Sequence, residues 1–159
     1  MKLLRSLKLL KENNIRLKAI IIGCGYNYDN LKEYIKTHQL QKEIKLLGYK
    51  KNAHKFTNKA NLFVLSSKYE GLPNSLLEAI VLNIPVISSD CPSGPSEILD
   101  KGKGGLLFTI GDYKSLANKI EYFIKSKNQM MQKKKYARKR LNRFDYKLRL
   151  HDYYKAICS

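Results

Sequence analysis

The chain has 159 residues, of which 43% are hydrophobic, so it is long enough to bury the core of one domain. It contains no run of about 18 apolar residues, which excludes a membrane-spanning helix at the level of sequence. Lysine and arginine number 31 against 13 acidic residues, and the formal net charge of +18 is compatible with an anionic partner or with a solvated basic face.

The predicted elements alternate between helix and strand along almost the whole chain. They are helices at 1–13, 28–38, 52–59, 74–82 and 95–100, strands at 16–23, 43–48, 61–66, 84–89 and 105–108, and C-terminal helices near 112–126, 128–141 and 145–157. Such alternation is typical of an α/β, Rossmann-like fold with a doubly wound parallel sheet. We therefore predict a single domain over 1–159, with its core at 1–126 and basic helices at 127–159.

The most specific motif is YEGLPNSLLEA at 69–79, between a buried strand and a short helix. Glu70 lies on the loop, where it can accept hydrogen bonds from hydroxyl groups. Glu78 lies about one turn into the helix, where it can hold a second diol or complete a capping box with Ser75. The N–H groups at the helix start favour a phosphate. A ligand with hydroxyls at both ends and phosphates between them is a sugar nucleotide.

This motif resembles the E-x7-E signature of glycosyltransferase family 4, whose members are retaining enzymes with the two-domain GT-B fold. Four further segments resemble the same family, namely the glycine turn around Cys24 and the stretches at 44–49, 92–99 and 105–108. The resemblance covers nearly the whole chain and is to the C-terminal, donor-binding domain. It implies binding of a nucleotide-diphosphate sugar.

The resemblance also implies roles for individual residues. Glu70 is implied to be the catalytic group, and Glu78 is implied to hold the ribose. Tyr49 and Lys50, which follow a strand, are predicted to form a wall for the base. The residues implied to bind the donor sugar and diphosphate are Gly23, Gly25, Glu70, Gly71, Leu72, Asn74 and Ser75. Neither metal nor cofactor is expected, because the sequence has no acidic D-x-D pair and the helix dipole and cations would neutralise the diphosphate.

One part of the family pattern is not matched. The family's donor domain normally begins with a strand that ends in G-R-x, followed by a lysine, whereas this sequence starts at the helix that would come next. The chain alone is therefore expected to transfer little or no sugar, and a chain carrying the N-terminal domain is a predicted partner. An exposed strand edge or an apolar patch is expected where the strand is missing.

The excess of basic residues is concentrated between 125 and 155, interleaved with apolar side chains. Basic amphipathic helices of this kind are compatible with an anionic membrane surface, with the missing N-terminal domain, or with a solvated face that has no partner. Nucleic acid is not expected, because neither an aromatic platform nor a groove-reading motif accompanies the charge. The three cysteines are scattered and favour a reducing cytoplasm.

The prediction is a hexosyltransferase-type glycosyltransferase that retains anomeric configuration. Its expected acceptor is a glycan or a lipid-linked sugar in cell-surface polysaccharide synthesis. The expected location is the cytoplasm, peripherally at the inner face of the membrane. Two alternatives stay open: a GT-B sugar-nucleotide epimerase, and a non-catalytic basic module that binds phosphate or membrane.

Overall fold

A computed structural model describes residues 1–145. The helices are α1 (Lys2–Glu12), α2 (Tyr28–Thr37), α3 (His54–Thr57), α4 (Asn74–Val81), α5 (Pro95–Ile98), α6 (Tyr113–Lys125) and α7 (Lys127–Lys139), followed by a 3₁₀ helix at Leu141–Phe144. The strands are β1 (Ala19–Ile21), β2 (Ile44–Leu46), β3 (Phe63–Leu65), β4 (Val86–Ser89) and β5 (Leu106–Phe108). Each element predicted between 1 and 141 is present, and the helix predicted at 145–157 lies outside the described residues.

The strands form two parallel sheets. In the smaller sheet β1 pairs with β2, with Ala19 opposite Ile44. In the larger sheet the order is β3-β4-β5, and Phe63 lies opposite Val86. The strands are shorter than predicted, since β1 covers Ala19–Ile21 rather than 16–23. Within the described chain β1 has a partner on one side only, which limits the length that a ladder can stabilise.

Helices cover both faces of the larger sheet. Ile87 of β4 is fully buried in a cluster with Leu10 of α1 and Leu116 of α6. Its neighbour Val86 points to the opposite face and joins a second cluster with Leu76 of α4. Adjacent strand residues face opposite sides of a sheet, so strands covered on both faces are apolar at successive positions. The predicted α/β, doubly wound class is therefore confirmed.

The smaller sheet is joined to the larger one through α1. Leu3 and Leu17 pack against the cluster beneath β4 and β5 and also against a third cluster, which contains Leu4 of α1 and Ile44 of β2. Helix α1 thus packs against both sheets. It links them through shared apolar contacts, although no strand of the described chain pairs with both.

Four strand edges have no ladder partner among residues 1–145, two in each sheet. The Ala19 N–H donates to the Glu43 carbonyl, so the backbone N–H and C=O groups of alternate β1 residues point towards β2. The backbone groups of Ile20 point away from it, towards the open edge. In β3 the Phe63 N–H donates to the Pro85 carbonyl, and Val64 faces the open edge. The open edges belong to β1 and β2 in the smaller sheet and to β3 and β5 in the larger one. Both sheets have open edges, and the expectation that a missing strand leaves one of them exposed stays a prediction.

Candidate functional site

The predicted motif lies where parallel strands present their carboxyl ends. β3 ends at Leu65, and the Glu70 loop (residues 66–73) leads directly into α4 at Asn74. Helix N-termini and strand carboxyl ends converge at this edge in open α/β sheets, which is where such folds bind ligands. The chain order thus puts Glu70 and the start of α4 on one functional edge.

The start of α4 has unused backbone donors. Its N-cap residue is Pro73, which makes no side-chain cap bond. The Pro73 carbonyl accepts from the Leu76 N–H at 3.0 Å and from the Leu77 N–H at 3.3 Å, so the N–H groups of Asn74 and Ser75 have no acceptor within the helix. Because Ser75 is inside the helix rather than at its cap, the capping-box interpretation of Glu78 is wrong. Two donors beside a positive helix end remain for an anion.

The two glutamates differ in exposure but share one property. Glu70 is half-buried and Glu78 is exposed. Within residues 1–145 neither carboxylate has a hydrogen bond or an ion pair to another side chain or to the backbone. Leu72, between them, is 52% exposed despite its apolar side chain. The loop therefore presents two uncommitted carboxylates and accessible backbone, an arrangement suited to a ligand rich in hydroxyl groups.

A second group of predicted residues lies at the carboxyl ends of β1 and β2. The Gly23 N–H donates to the Gly48 carbonyl at 2.8 Å, which ties the two loops together. Gly25 is exposed, and Tyr49 is 73% exposed beside the exposed Lys50. The structure therefore groups these four predicted residues on the smaller sheet, apart in sequence from the Glu70 loop but at the same kind of strand end.

Sequence reasoning missed the end of β4 and the loop that follows it. The Ser89 hydroxyl donates to the Ser67 carbonyl at 2.6 Å, and the Ser93 hydroxyl donates to the Glu70 carbonyl at 2.5 Å. Both serines therefore support the backbone of the Glu70 loop. The available signal was the turn composition of Pro92-Ser93-Gly94-Pro95 after a strand, which places this segment at the same edge.

Two surface hollows lie at opposite ends of the strands, and one of them is next to the candidate site. An open depression of about 300 Å³ lies at the ends of β4 and β5 and is lined by Asp90, Leu107, Phe108, Thr109 and Ile110. Another, of about 340 Å³, lies at the C-terminal ends of α1 and α2 and includes Lys8 and His38. The C-terminal end of each helix leads into the amino end of the next strand, at the edge opposite the candidate site. Of these two hollows, only the one beside Asp90 therefore adjoins the candidate site. Asp90 is thus a site-edge residue that the sequence did not single out.

The described part of the chain offers neither a cluster of metal ligands nor a membrane span. Across residues 1–145, no group of three or more His, Cys, Asp or Glu side chains is placed to hold a metal ion. Over the same range, every helix is too short or too polar to cross a bilayer. The metal-independent chemistry expected of the site stays a prediction.

Comparison with known proteins gives a family. The family model described as "Glycosyl transferases group 1" matches residues 1–140. The resemblance inferred from the E-x7-E motif is therefore confirmed at the level of the family.

Individual relatives point the same way. An uncharacterised glycosyltransferase of Methanocaldococcus jannaschii is 48% identical over 97 residues, which cover 61% of this chain and 24% of that protein. A Campylobacter jejuni diphospho-undecaprenol-linked N-acetylgalactosaminyltransferase is 29% identical over 81% of this chain and 35% of its own length. A Staphylococcus aureus TarM mutant, crystallised with fondaparinux, α-GlcNAc-glycerol and UDP, is 27% identical with a TM-score of 0.78, covering 87% of this chain and 28% of its own. The chain thus spans about a quarter to a third of these proteins.

Proposed function

Because this chain belongs to the group 1 glycosyl transferases, we propose that it is the donor-binding domain of a hexosyltransferase that uses a nucleotide-diphosphate sugar. The observation that carries the proposal is the geometry of the 69–79 motif. Two carboxylates without partners flank a helix start whose first N–H groups are unused. Carboxylates suit sugar and ribose hydroxyls, and the helix start suits the diphosphate between them.

The donor would lie along the carboxyl edge of the sheets. Glu70, with the backbone of Gly71 and Leu72, would hold the transferred hexose and stabilise positive charge at its anomeric carbon. The helix donors would stabilise the departing diphosphate. Glu78 would bind the ribose.

The smaller sheet would supply the rest of the donor site. Gly23 and Gly25 allow a close approach of backbone to the donor, and Tyr49 and Lys50 would flank the base. UDP is the nucleotide in the TarM complex, which makes it the first probe for this chain.

The acceptor and the stereochemistry are further parts of the proposal. We expect transfer with retention of anomeric configuration to a glycan or lipid-linked acceptor. The Campylobacter jejuni relative is named for a diphospho-undecaprenol-linked substrate, which supports a role in cell-surface polysaccharide synthesis.

A basic face on α7 supports a peripheral position at the membrane. Lys127, Lys135, Arg138 and Lys139 are exposed and recur at helical spacing with the exposed Met131, and together they form the basic stripe. Such a stripe is suited to an anionic cytoplasmic leaflet. On the buried side of the helix, Met130 and Ala137 pack into the two main clusters, so α7 is firmly attached to the domain.

The open strand edges support the proposal of a partner that carries the N-terminal domain. A parallel strand placed beside β1 and β3 would satisfy the outward-facing backbone groups of Ile20 and Val64. It would also cover Ile20, whose side chain is 51% exposed. We propose that the 159-residue chain alone turns over little donor, since one domain forms only one wall of a closed cleft.

Calorimetric titration with UDP and with UDP-hexoses tests the donor site. Binding of both, with tighter binding of one UDP-hexose, would support the proposal. An epimerised sugar nucleotide released without acceptor would favour the epimerase, and the absence of nucleotide binding would favour the non-catalytic module. Radiolabelled transfer to a lipid extract, with the chain alone and then with an N-terminal-domain chain added, tests the partner. Full turnover by the chain alone would contradict the proposal that a partner domain is required.

A further inference from the structure

The segment that begins at Ser89, the last residue of β4, runs alongside the Glu70 loop and contacts it repeatedly. We call residues 89–94 the support loop. Its first residue, Ser89, donates to the Ser67 carbonyl at 2.6 Å, and Ser93 donates to the Glu70 carbonyl at 2.5 Å. The supported residues follow β3 and belong to neither a helix nor a strand. Side chains of the support loop therefore replace the ladder bonds that the Glu70 loop lacks.

The last residue of the support loop touches the next peptide of the motif. Gly94 has a φ of +83°, and a Cβ added to it would lie 1.9 Å from the Gly71 carbonyl oxygen and 2.8 Å from Pro73 Cδ. Both atoms are rigidly held, one in backbone and the other in a ring. Only glycine fits here, so the Gly71 carbonyl rests directly on the backbone of the support loop.

These two contacts orient the backbone N–H groups of the motif. In a planar trans peptide the N–H points opposite to the carbonyl of the preceding residue. The Glu70 carbonyl points at Ser93, so the Gly71 N–H points away from the support loop. The Gly71 carbonyl faces Gly94, so the Leu72 N–H also points away from it. Both donors are thereby aimed outwards, from a loop whose Gly71 and Leu72 are exposed.

We propose that Ser93 and Gly94 are positioning residues for donor-sugar recognition. They hold the Glu70–Gly71 and Gly71–Leu72 peptides so that two N–H groups and the Glu70 side chain face one ligand. The inference rests on the proposed function for its ligand, a nucleotide-linked hexose. The backbone orientation itself does not depend on that function. The nucleotide half of the site, at Glu78, lies further along α4, and within residues 1–145 the Glu78 side chain makes no hydrogen bond to the support loop.

The serine is tested with a matched pair of variants. Ser93→Ala removes the hydroxyl donor, whereas Ser96→Ala alters a nearby serine whose hydroxyl has no hydrogen bond within residues 1–145. We expect Ser93→Ala to weaken UDP-hexose binding by about fivefold, the effect of one hydrogen bond. Binding of UDP should stay unchanged. Ser93→Thr keeps the hydroxyl and should restore UDP-hexose affinity.

The glycine has an equally close control. Gly111 shares the φ of +83°, but a Cβ there would meet only Lys2 Nζ, at 3.1 Å. Gly94→Ala and Gly111→Ala therefore both place a Cβ at a φ of +83°, and only the first displaces the Gly71 carbonyl. We expect Gly94→Ala to lower UDP-hexose affinity at least about tenfold relative to Gly111→Ala, more than the loss of one hydrogen bond.

A measurement without ligand separates this inference from the proposed function. Amide chemical shifts of Gly71 and Leu72 should change in Ser93→Ala and Gly94→Ala and should stay the same in the two controls. Unchanged shifts in both test variants would overturn the inference, even if the protein binds UDP-hexose. If the wild type binds no UDP-hexose, the proposed function and the recognition role both fail, and the shifts still decide the backbone orientation.

Discussion

Replacement of Glu70 by alanine should abolish most donor-sugar affinity while leaving the fold intact. The Glu70 side chain is half-buried and its carboxylate makes no bond within the described chain, so the change in unfolding free energy should stay within about 0.5 kcal/mol. A hydrogen bond from a hydroxyl to a carboxylate contributes about 1.5–3 kcal/mol. Loss of one such bond corresponds to a decrease in UDP-hexose affinity of about ten- to hundredfold.

The assay compares variants by calorimetry and by thermal denaturation. Glu70→Gln keeps one acceptor oxygen without the charge, and its affinity should lie between those of wild type and Glu70→Ala. Glu33→Ala, on the exposed face of α2, is the control for removing a surface glutamate. UDP-hexose binding by Glu70→Ala equal to that of the wild type would refute the assignment. An equal loss of UDP affinity would show that Glu70 contacts the nucleotide rather than the sugar.

Three further predictions concern the nucleotide, α7 and the membrane. Glu78→Gln should weaken UDP binding without changing the thermal midpoint, because Glu78 does not take part in a helix cap. The Tyr136 hydroxyl donates to Asp100, and this bond is the main reason that the pKa of Asp100 is lowered. A pKa lowered by folding adds stability at neutral pH that is lost as the pH falls through the folded-state pKa. Tyr136→Phe should therefore lower the thermal midpoint at neutral pH and flatten its decline below about pH 4, the usual range of Asp. The basic stripe should bind anionic liposomes at low salt, with up to about 1 kcal/mol for each basic residue, and release them at high salt, as measured by flotation.

Each of these predictions has a result that contradicts it. For Glu78→Gln, unchanged UDP affinity would remove Glu78 from the nucleotide site. Identical pH profiles for Tyr136→Phe and wild type would show that the Asp100 contact adds no stability. Flotation that ignores lipid charge, or tighter binding to duplex DNA than to anionic liposomes, would refute the membrane prediction.

Many features of the fold were predictable because they are encoded locally. The apolar run before the motif and the Gly-Leu-Pro-Asn turn marked β3 and the start of α4 to within a few residues. Periodicity and turn residues depend on side chains close in sequence, so they can be recognised without knowledge of the partners. The same locality explains why Glu70 and Glu78 could be placed on a loop and a helix in advance. The predicted roles of these two glutamates stay predictions.

The cap of α4 and the ends of the strands were harder to predict. Asn74 and Ser75 are good capping residues, yet the helix takes Pro73 as its N-cap, because the path of the loop out of β3 decides where helical geometry begins. The strand at 16–23 shrank to Ala19–Ile21 because strand length depends on a neighbour that the local sequence does not reveal. The start of a helix and the ends of a strand therefore depend on backbone segments that are distant in sequence.

The sequence alone predicted the α/β class, the order of helices and strands, and the motif with its two glutamates. Tertiary contacts decided the strand orders β1-β2 and β3-β4-β5, and with them which strands carry an open edge. They also decided that Ser93 supports the Glu70 carbonyl, 23 residues away along the chain. Local patterns specify elements because neighbouring side chains share one helix or strand face. The orientation of a loop peptide is set by atoms that meet only once the strands are side by side.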